Sequence, residues 1–340
     1  MIVHSEEPLN AESPREALAG SPITPAGTFY IRGHGPVPRT FDGLRVDGLV
    51  ANELSLKYQD LLRFERRELT ATLQCAGNRR AGLIEVRDIP GEAPWGPGAT
   101  GTATWAGVAL ADVLEAAGVL EEAEHVAFVS TDRADEADPP QAYGASVSLR
   151  KARRPEVLLA WEMNGEPLPL IHGGPLRVVV PGYIGARSVK WISRIEVRAE
   201  PWDGYYQSVA YRLLAPDEEP GPGVGIPLGE VALNSDILRA RVQDGVALLE
   251  GYAFAGGERH VTRVEVSADA GGTWEHAELL DDQGPWAWRL WRAAVPVDGR
   301  TEIYARAWDS AAATQPEHAA TVWNPKGYVN NSWARVSVAE

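Results

Sequence analysis

A single cysteine, Cys75, lies in Leu73-Gln74-Cys75-Ala76-Gly77-Asn78-Arg79-Arg80, where a strand-like run gives way to a loop with glycine, asparagine and two adjacent guanidiniums. Nearby positive charge lowers a thiol's pKa and favours thiolate, the form that coordinates soft metals or attacks electrophiles. Cysteine is also among the most buried residue types, and a buried thiol is ordinarily inert. One thiol makes no internal disulfide, and alone it builds neither a zinc nor an iron–sulfur site. Cys75 is therefore an inert core residue, a nucleophile, or one ligand to something else.

Two other segments carry chemistry-bearing side chains between glycines and prolines. Tyr30-Ile31-Arg32-Gly33-His34-Gly35-Pro36-Val37-Pro38 fixes a tight turn around Arg32 and His34. Ile171-His172-Gly173-Gly174-Pro175-Leu176-Arg177 is followed by Pro181 to Trp191, which holds Arg187, Ser188 and Lys190. Glycine-bracketed amides with guanidiniums suit an anion such as phosphate or an oxyanion. Taken singly, each histidine is more often a structural hydrogen-bonding group and each arginine a solvated charge. No phosphate-cradling Gly-Lys-Ser/Thr loop, GxGxxG turn or Gly-x-Ser-x-Gly elbow occurs. The seven histidines include no pair at metal-helix spacing.

The charge distribution points the same way. The chain carries −15 overall, yet residues 28–80 hold nine Lys/Arg against six Asp/Glu, and residues 150–198 hold nine against four. An acidic protein with two basic stretches either reserves a positive site for a small anion or shows two solvated faces. The overall acidity excludes a general nucleic-acid binder. With 340 residues and 44% hydrophobic content, two ordinary globular domains are expected. No stretch reads as a secretory signal or membrane span, so no membrane partner is expected. The expected location is cytoplasmic, or periplasmic if the sequence is a processed form.

Several elements must position these groups. Gly107–Gly118 has apolar residues at helical spacing and a terminal glycine, which predicts a helix. Leu69–Leu73 and Leu176–Pro181 predict short strands, the second buried on both faces, and Arg187–Arg198 an alternating strand. Ala215–Gly229, with four prolines and four glycines, predicts a linker. Beyond residue 230 strand-like runs at Val246–Ala255, His260–Ala268, Trp286–Pro296, Thr301–Asp309 and Trp333–Val338 alternate with turns, and Ala268–Gly272 reads as a hairpin. That pattern suggests an immunoglobulin-like sandwich. Trp286 and Trp288, two apart, share a face that is core or subunit interface.

Together these segments resemble the sulfite oxidase family of molybdopterin-dependent oxidoreductases. The resemblance runs from about Thr28 to Val338. It rests on Arg32-Gly33-His34-x-Pro36-Val37-Pro38, on Cys75-Ala76-Gly77-Asn78-Arg79-Arg80, on Ala142-Tyr143-Gly144-Ala145-Ser146, on Glu162-Met163-Asn164-Gly165-x-Pro167-Leu168-Pro169 and on Val178 to Lys190. It continues through Tyr252-Ala253-Phe254, Val264 to Ser267 with Thr273-Trp274, the Trp286–Trp291 run, and Trp323-Asn324-x-Lys326-Gly327.

The resemblance implies an α+β protein. A mixed α/β molybdopterin-binding domain (28–214) follows an N-terminal extension (1–27), and a linker (215–229) leads to an immunoglobulin-like dimerisation domain (230–340). It implies one molybdenum held by a pterin dithiolene and by the Cys75 thiolate, so that one protein ligand suffices. Cofactor contacts carry over to Tyr30, Arg32, His34, Asp132, His172, Arg177, Ser188 and Lys190. The substrate pocket carries over to Arg32, Arg80, Trp95, Tyr211 and Lys326. Lys326 stands where animal members have arginine, which keeps the charge but gives up bidentate geometry.

The expected activity is oxidation of sulfite to sulfate by oxygen-atom transfer. Only 27 residues precede Thr28, so a haem-free protein passing electrons to oxygen or to an external acceptor such as a cytochrome is expected, and the resemblance implies a homodimer. The alternatives are reduction or oxidation of another small oxyanion or sulfoxide, nitrate above all, and a catalytically silent cofactor-binding protein. A thiol-nucleophile enzyme has no evident His–Asp partner for Cys75.

Overall fold

Alternation in Leu69, Ala71 and Leu73 builds the strand Arg66–Gln74, which pairs antiparallel along its whole length with Thr100–Ala109. Leu158–Met163 lies on the other side of Thr100–Ala109, and Arg177–Val179, wholly buried, pairs with Leu158–Ala160. These strands and the short Glu166–Pro167 make one five-stranded sheet. A second, mixed sheet runs Leu54–Leu56, Leu44–Gly48, Ile192–Arg198, His125–Ala134, Gln141–Ser148, with Ile192–Arg198 parallel to Leu44–Gly48. Val46, Val126, Phe128 and Ile195 from the second sheet meet Val108, Leu159 and Val178 from the first in one fully buried core. The computed structural model that shows this describes residues 1–280 and 282–339.

The helix anticipated over 107–118 is shorter. Gly107 to Ala109 stay in the strand because they pair with Leu158 to Ala160, and the helix is Leu110–Ala117. It buries Leu110, Val113, Leu114 and Ala117 and ends at Gly118, whose φ of 70° is the left-handed cap that glycine adopts without strain. The segment read as the strand Arg187–Arg198 divides into a tight turn at Gly185–Arg187 and a strand at Ile192–Arg198. Residues 1–27, expected as an extension, are built into the domain. Ile2–Glu6 and Leu9–Glu12 form a hairpin, and Leu9–Glu12 pairs with Ile31–Arg32.

The C-terminal part is two four-stranded antiparallel sheets. One contains Asn234–Gln243, Val246–Phe254, Arg289–Pro296 and Glu278–Leu279. The other contains Glu275–His276, Val261–Ser267, Thr301–Asp309 and Ala334–Val338. They share a core of Ile237, Leu249, Val264, Val266, Trp291 and Ile303. All five anticipated strands are present, and Asn234–Gln243 was not anticipated. Ala270 and Gly271, both at positive φ, turn the chain after Ser267. Trp288 faces the N-terminal part: its ring stacks on Tyr252 and its indole N–H donates to the Pro22 carbonyl (2.9 Å).

Arg79 locks the two parts together. Its guanidinium pairs with Asp236 (2.8 Å) and donates to Asn234 Oδ1 (3.0 Å) and to the Ser332 carbonyl (2.7 Å). In the glycine- and proline-rich 215–229 stretch, Ile226–Pro227 pairs with Arg212–Leu213, so that stretch is pinned at its end. Among the described residues no helix is long and apolar enough to cross a membrane.

Candidate functional site

Strand Arg66–Gln74 delivers Cys75 from its end into a tight turn. Asn78 N–H donates to the Cys75 carbonyl (3.0 Å), Arg80 N–H to the Gly77 carbonyl (3.0 Å), and Arg79 takes the left-handed conformation at φ 64°. Gly77 N–H points at Cys75 Sγ (3.4 Å). The two adjacent arginines thereby diverge, Arg79 toward the C-terminal sheets and Arg80 toward the site. Burial raises the Cys75 thiol above its ordinary value, against Arg80, the Gly77 amide and Arg32, which pull it down. Of the two opposing influences legible in the sequence, burial and positive charge, desolvation is the larger.

Cys75 is in the wall of a cleft of about 680 Å³ counting its open mouth, within the roughly 300–1,000 Å³ of small-ligand sites. The same cleft is lined by Tyr30, Arg32, His34, Asp132, His172, Arg177, Ser188, Lys190 and Tyr211. These nine come from segments scattered over 180 positions, and the two sheets bring them together. Ile31–Arg32 is held by the N-terminal hairpin, where Asn10 Oδ1 accepts from the Arg32 guanidinium (3.2 Å) and from Gly33 N–H (3.0 Å). Tyr30 approaches Gly185 so closely that a Cβ there would lie 2.5 Å from its hydroxyl.

The cleft gathers Arg32, Arg177 and Lys190 against one lining carboxylate, Asp132, whose ionisation burial opposes. Burial pushes Lys190 down to about 7, with Arg177 adding to the shift, and burial pushes Arg177 down to about 10. The Arg177 guanidinium is fixed by the carbonyls of His172 (2.7 Å) and Ser188 (2.9 Å). Burial alone would lower Arg32 too, but the Glu136 charge, with Tyr211 and Cys75 where they ionise, holds it above its ordinary value. Burial and the Arg32 charge drive His34 down to about 3, and burial drives His172 to about 4, so both imidazoles are neutral at pH 7. His34 Nε2 hydrogen-bonds the Tyr211 hydroxyl (2.8 Å), and burial keeps that phenol protonated. His34 Nδ1 and Asp132 Oδ1 are buried with no hydrogen-bond partner.

This set fits a ligand that is anionic at one end, offers hydrogen bonds to orphaned polar atoms, and carries a soft metal at the thiol. Among the described residues no group of three His, Cys, Asp or Glu could hold a metal unaided. A metal at Cys75 would therefore take its remaining ligands from the cofactor.

The other three expected site residues stand beside the cleft lining. Trp95 is 1% exposed and meets His4 edge-on (4.8 Å). Arg80 donates through Nε to the Lys326 (3.1 Å) and Gly327 (3.2 Å) carbonyls and through Nη1 to the Ala93 carbonyl (2.9 Å). It lies over the Tyr328 ring, which stacks on Tyr211, so a contact chain joins it to the cleft. Lys326 pairs with Glu92, whose other oxygen faces Arg80.

Sequence reasoning missed Asn10, Glu92, Tyr206 and Tyr328. Tyr143 stood in a quoted motif without a role, and here it stacks on His34 (5.2 Å), with Tyr206 tilted against the same ring (4.2 Å). Asn10 and Glu92 carried no local signal, since their roles arise from pairing with distant segments.

Residues 34–206 match the family model described as the oxidoreductase molybdopterin binding domain, and residues 231–340 match the Mo-co oxidoreductase dimerisation domain. The chain is 41% identical to a sulfite oxidase of Arabidopsis thaliana, an alignment spanning 98% of this chain and 92% of that protein. It is 43% identical to a sulfite oxidase of Gallus gallus, spanning 98% and 76%. Among solved structures, the sulfane dehydrogenase SoxCD from Paracoccus pantotrophus superposes with a TM-score of 0.84 at 28% identity, covering 98% of this chain and 85% of that one.

Proposed function

From the fact that this chain belongs to the sulfite oxidase family of molybdopterin-dependent oxidoreductases, we propose that it oxidises sulfite to sulfate at a molybdopterin centre ligated by Cys75. The observation that carries this reading is one lone thiol in the wall of a buried cleft where Arg32, Arg177 and Lys190 outnumber the single lining carboxylate, Asp132. Arg177, Lys190, His172 and Ser188 hold the phosphate and pterin end; Tyr30, His34 and Asp132 fill out the cradle. A molybdenum dithiolene bound there supplies oxygen-atom transfer and takes up the two electrons released as sulfite and water become sulfate and two protons.

The chain's own residues bind and orient the oxyanion. Arg32 stays charged and draws the substrate toward the thiol end of the cleft. The neutral Tyr211 phenol offers a hydrogen bond without adding charge, and His34 fixes its direction. Trp95 walls off water. Arg80 and Lys326 supply the remaining positive charge.

The domain limits we propose are 28–214 for cofactor and catalysis, with residues 1–27 joined to it through the pairing with Ile31–Arg32, 215–229 for the connection, and 230–340 for an immunoglobulin-like sandwich through which two copies associate. An external acceptor, dioxygen or a cytochrome, takes the electrons.

A second reading, reduction of nitrate or of a sulfoxide, draws on one feature. Glu92 engages the Lys326 ammonium and leaves less positive charge for a dianion. One experiment separates the two. Molybdenum stoichiometry is measured on protein from a cofactor-competent host, followed by sulfite-dependent reduction of ferricyanide and viologen-dependent reduction of nitrate. Sulfite turnover is expected; nitrate turnover alone would promote the second reading, and protein without molybdenum would end both.

A further inference from the structure

Glu92 lies in the loop between the helix Arg80–Ile84 and the strand Thr100–Ala109. Gly91, at φ 78°, turns the chain immediately before it. The loop after it is nailed down by backbone bonds: the Ala93 carbonyl accepts from Arg80 Nη1, the Trp95 carbonyl from Ala81 N–H (3.0 Å), and the Gly96 carbonyl from Arg79 N–H (2.8 Å). The side chain is thus presented from a fixed base. One carboxylate oxygen faces Arg80 Nη2 at 3.3 Å and the other bonds Lys326 Nζ. The Glu92 side chain is 17% exposed, and its partners Arg80 and Lys326 are 3% and 23% exposed.

Two oxygens of one carboxylate therefore bridge two cations, as two oxygens of a tetrahedral or trigonal oxyanion would. Burial raises the Tyr328 phenol, over which Arg80 lies, and the Glu92 carboxylate adds to that rise. We propose that Glu92 is a tethered competitor for the oxyanion at the Arg80–Lys326 pair: the substrate displaces this carboxylate, which makes Glu92 a specificity-determining residue. The inference rests on the reading above in which Arg80 and Lys326 face the substrate.

The physical case is one of effective concentration and charge. A carboxylate on a fixed loop competes at an effective concentration of about millimolar or more, so a weak monoanion such as chloride is excluded while an oxyanion with more charge and more acceptors wins. Because the loop backbone is tied, the displacement needs only side-chain rotation. Arg80 stays in place through its bonds to the Lys326, Gly327 and Ala93 carbonyls, and Lys326 turns from one anion to the other.

The test compares wild type with Glu92→Gln, which keeps shape and removes charge, and Glu92→Ala, which removes both. The measurements are sulfite KM and kcat, the Kd of sulfate by calorimetry, and inhibition by chloride. Both variants are expected to bind sulfate roughly tenfold tighter, to lower KM by a similar factor with kcat within about twofold, and to become chloride-sensitive. Unchanged KM and sulfate Kd in both variants, with wild-type melting temperature and molybdenum content, would overturn the proposal, as would weaker sulfate binding. If the wild type does not oxidise sulfite, the functional reading falls while the sulfate titrations still decide what Glu92 does.

Discussion

Two buried cationic regions of the molecule follow opposite rules. At the junction between the two parts, Arg79 meets Asp236, Asn234 and the carbonyls of Ser332 and Trp333, and Arg15 bonds Asp236 from the other side (2.7 Å). Positive and negative groups are matched there. In the cleft, Arg32, Arg177 and Lys190 outnumber the single lining carboxylate, Asp132, and burial drags Lys190 to about 7. A matched set holds structure; an unmatched one destabilises the empty protein and is retained for something that arrives with negative charge.

The widest split between the regions is expected from Cys75→Ser. It should leave fold and pterin content intact and reduce turnover by at least a thousandfold, about 4 kcal/mol of lost transition-state stabilisation. Sulfite-dependent ferricyanide reduction together with molybdenum analysis checks this; undiminished activity would refute the ligand assignment. Arg79→Met acts on the other region. Leaving Asp236 with Arg15 alone should cost roughly 3 kcal/mol in denaturant unfolding, while activity per folded molecule stays near wild type.

Lys190→Met should weaken retention of the cofactor roughly tenfold, the worth of one charge-assisted contact, and should raise the melting temperature of the cofactor-free protein at pH 6. The sign follows from the lowered pKa. The folded state disfavours the ammonium, so the cost is absent above the ordinary value of 10.5, grows as pH falls, and is complete below about 7. An equal advantage of the variant at pH 6 and pH 10 would contradict it.

The smallest effect concerns Glu12, on the hairpin strand behind Trp95. Burial pushes its carboxyl up to about 7, against the Gly96 and Gly98 amides and the Arg15 charge, with Asp236 adding to the rise. A raised carboxyl stabilises the fold below the ordinary value of 4.5, and that contribution is lost as pH climbs through 7. Glu12→Gln should therefore melt a degree or two above wild type at pH 8 and level with it at pH 5.

The cleft was the most legible part of the sequence: Arg32, His34, His172, Arg177 and Lys190 sit in glycine-bracketed segments that suit an anion, while the metal at Cys75 and the places of Asp132 and Tyr211 came only with the family resemblance. Every residue expected to hold the cofactor lines one cavity with Cys75. The junction was illegible. Nothing local distinguishes Arg79 from Arg80; only the left-handed turn at Arg79 sends the two side chains apart. The strand Asn234–Gln243 escaped notice because the irregularity between Ile237 and Arg239 breaks its alternation. Glu92 borders an uncharged loop and gains meaning only when Lys326, far along the chain, comes back to meet it. The hairpin Ile2–Glu12 reads as a tail until its pairing with Ile31–Arg32 is visible.

The bonds that frame the site span most of the polypeptide: Arg15 to Asp236 is separated by 221 positions, Arg80 to the Gly327 carbonyl by 247, and Arg79 to the Ser332 carbonyl by 253. A ribosome, adding about 5–20 residues per second, releases Cys75 and its two arginines many seconds before the residues that hold them. During synthesis the N-terminal sheets, and the cleft that their residues line, can form early, whereas Arg79 and Arg80 reach their partners only after Asn234, Gly327 and Ser332 have emerged. Translation thus sets the order in which the cleft and the junction behind it are completed.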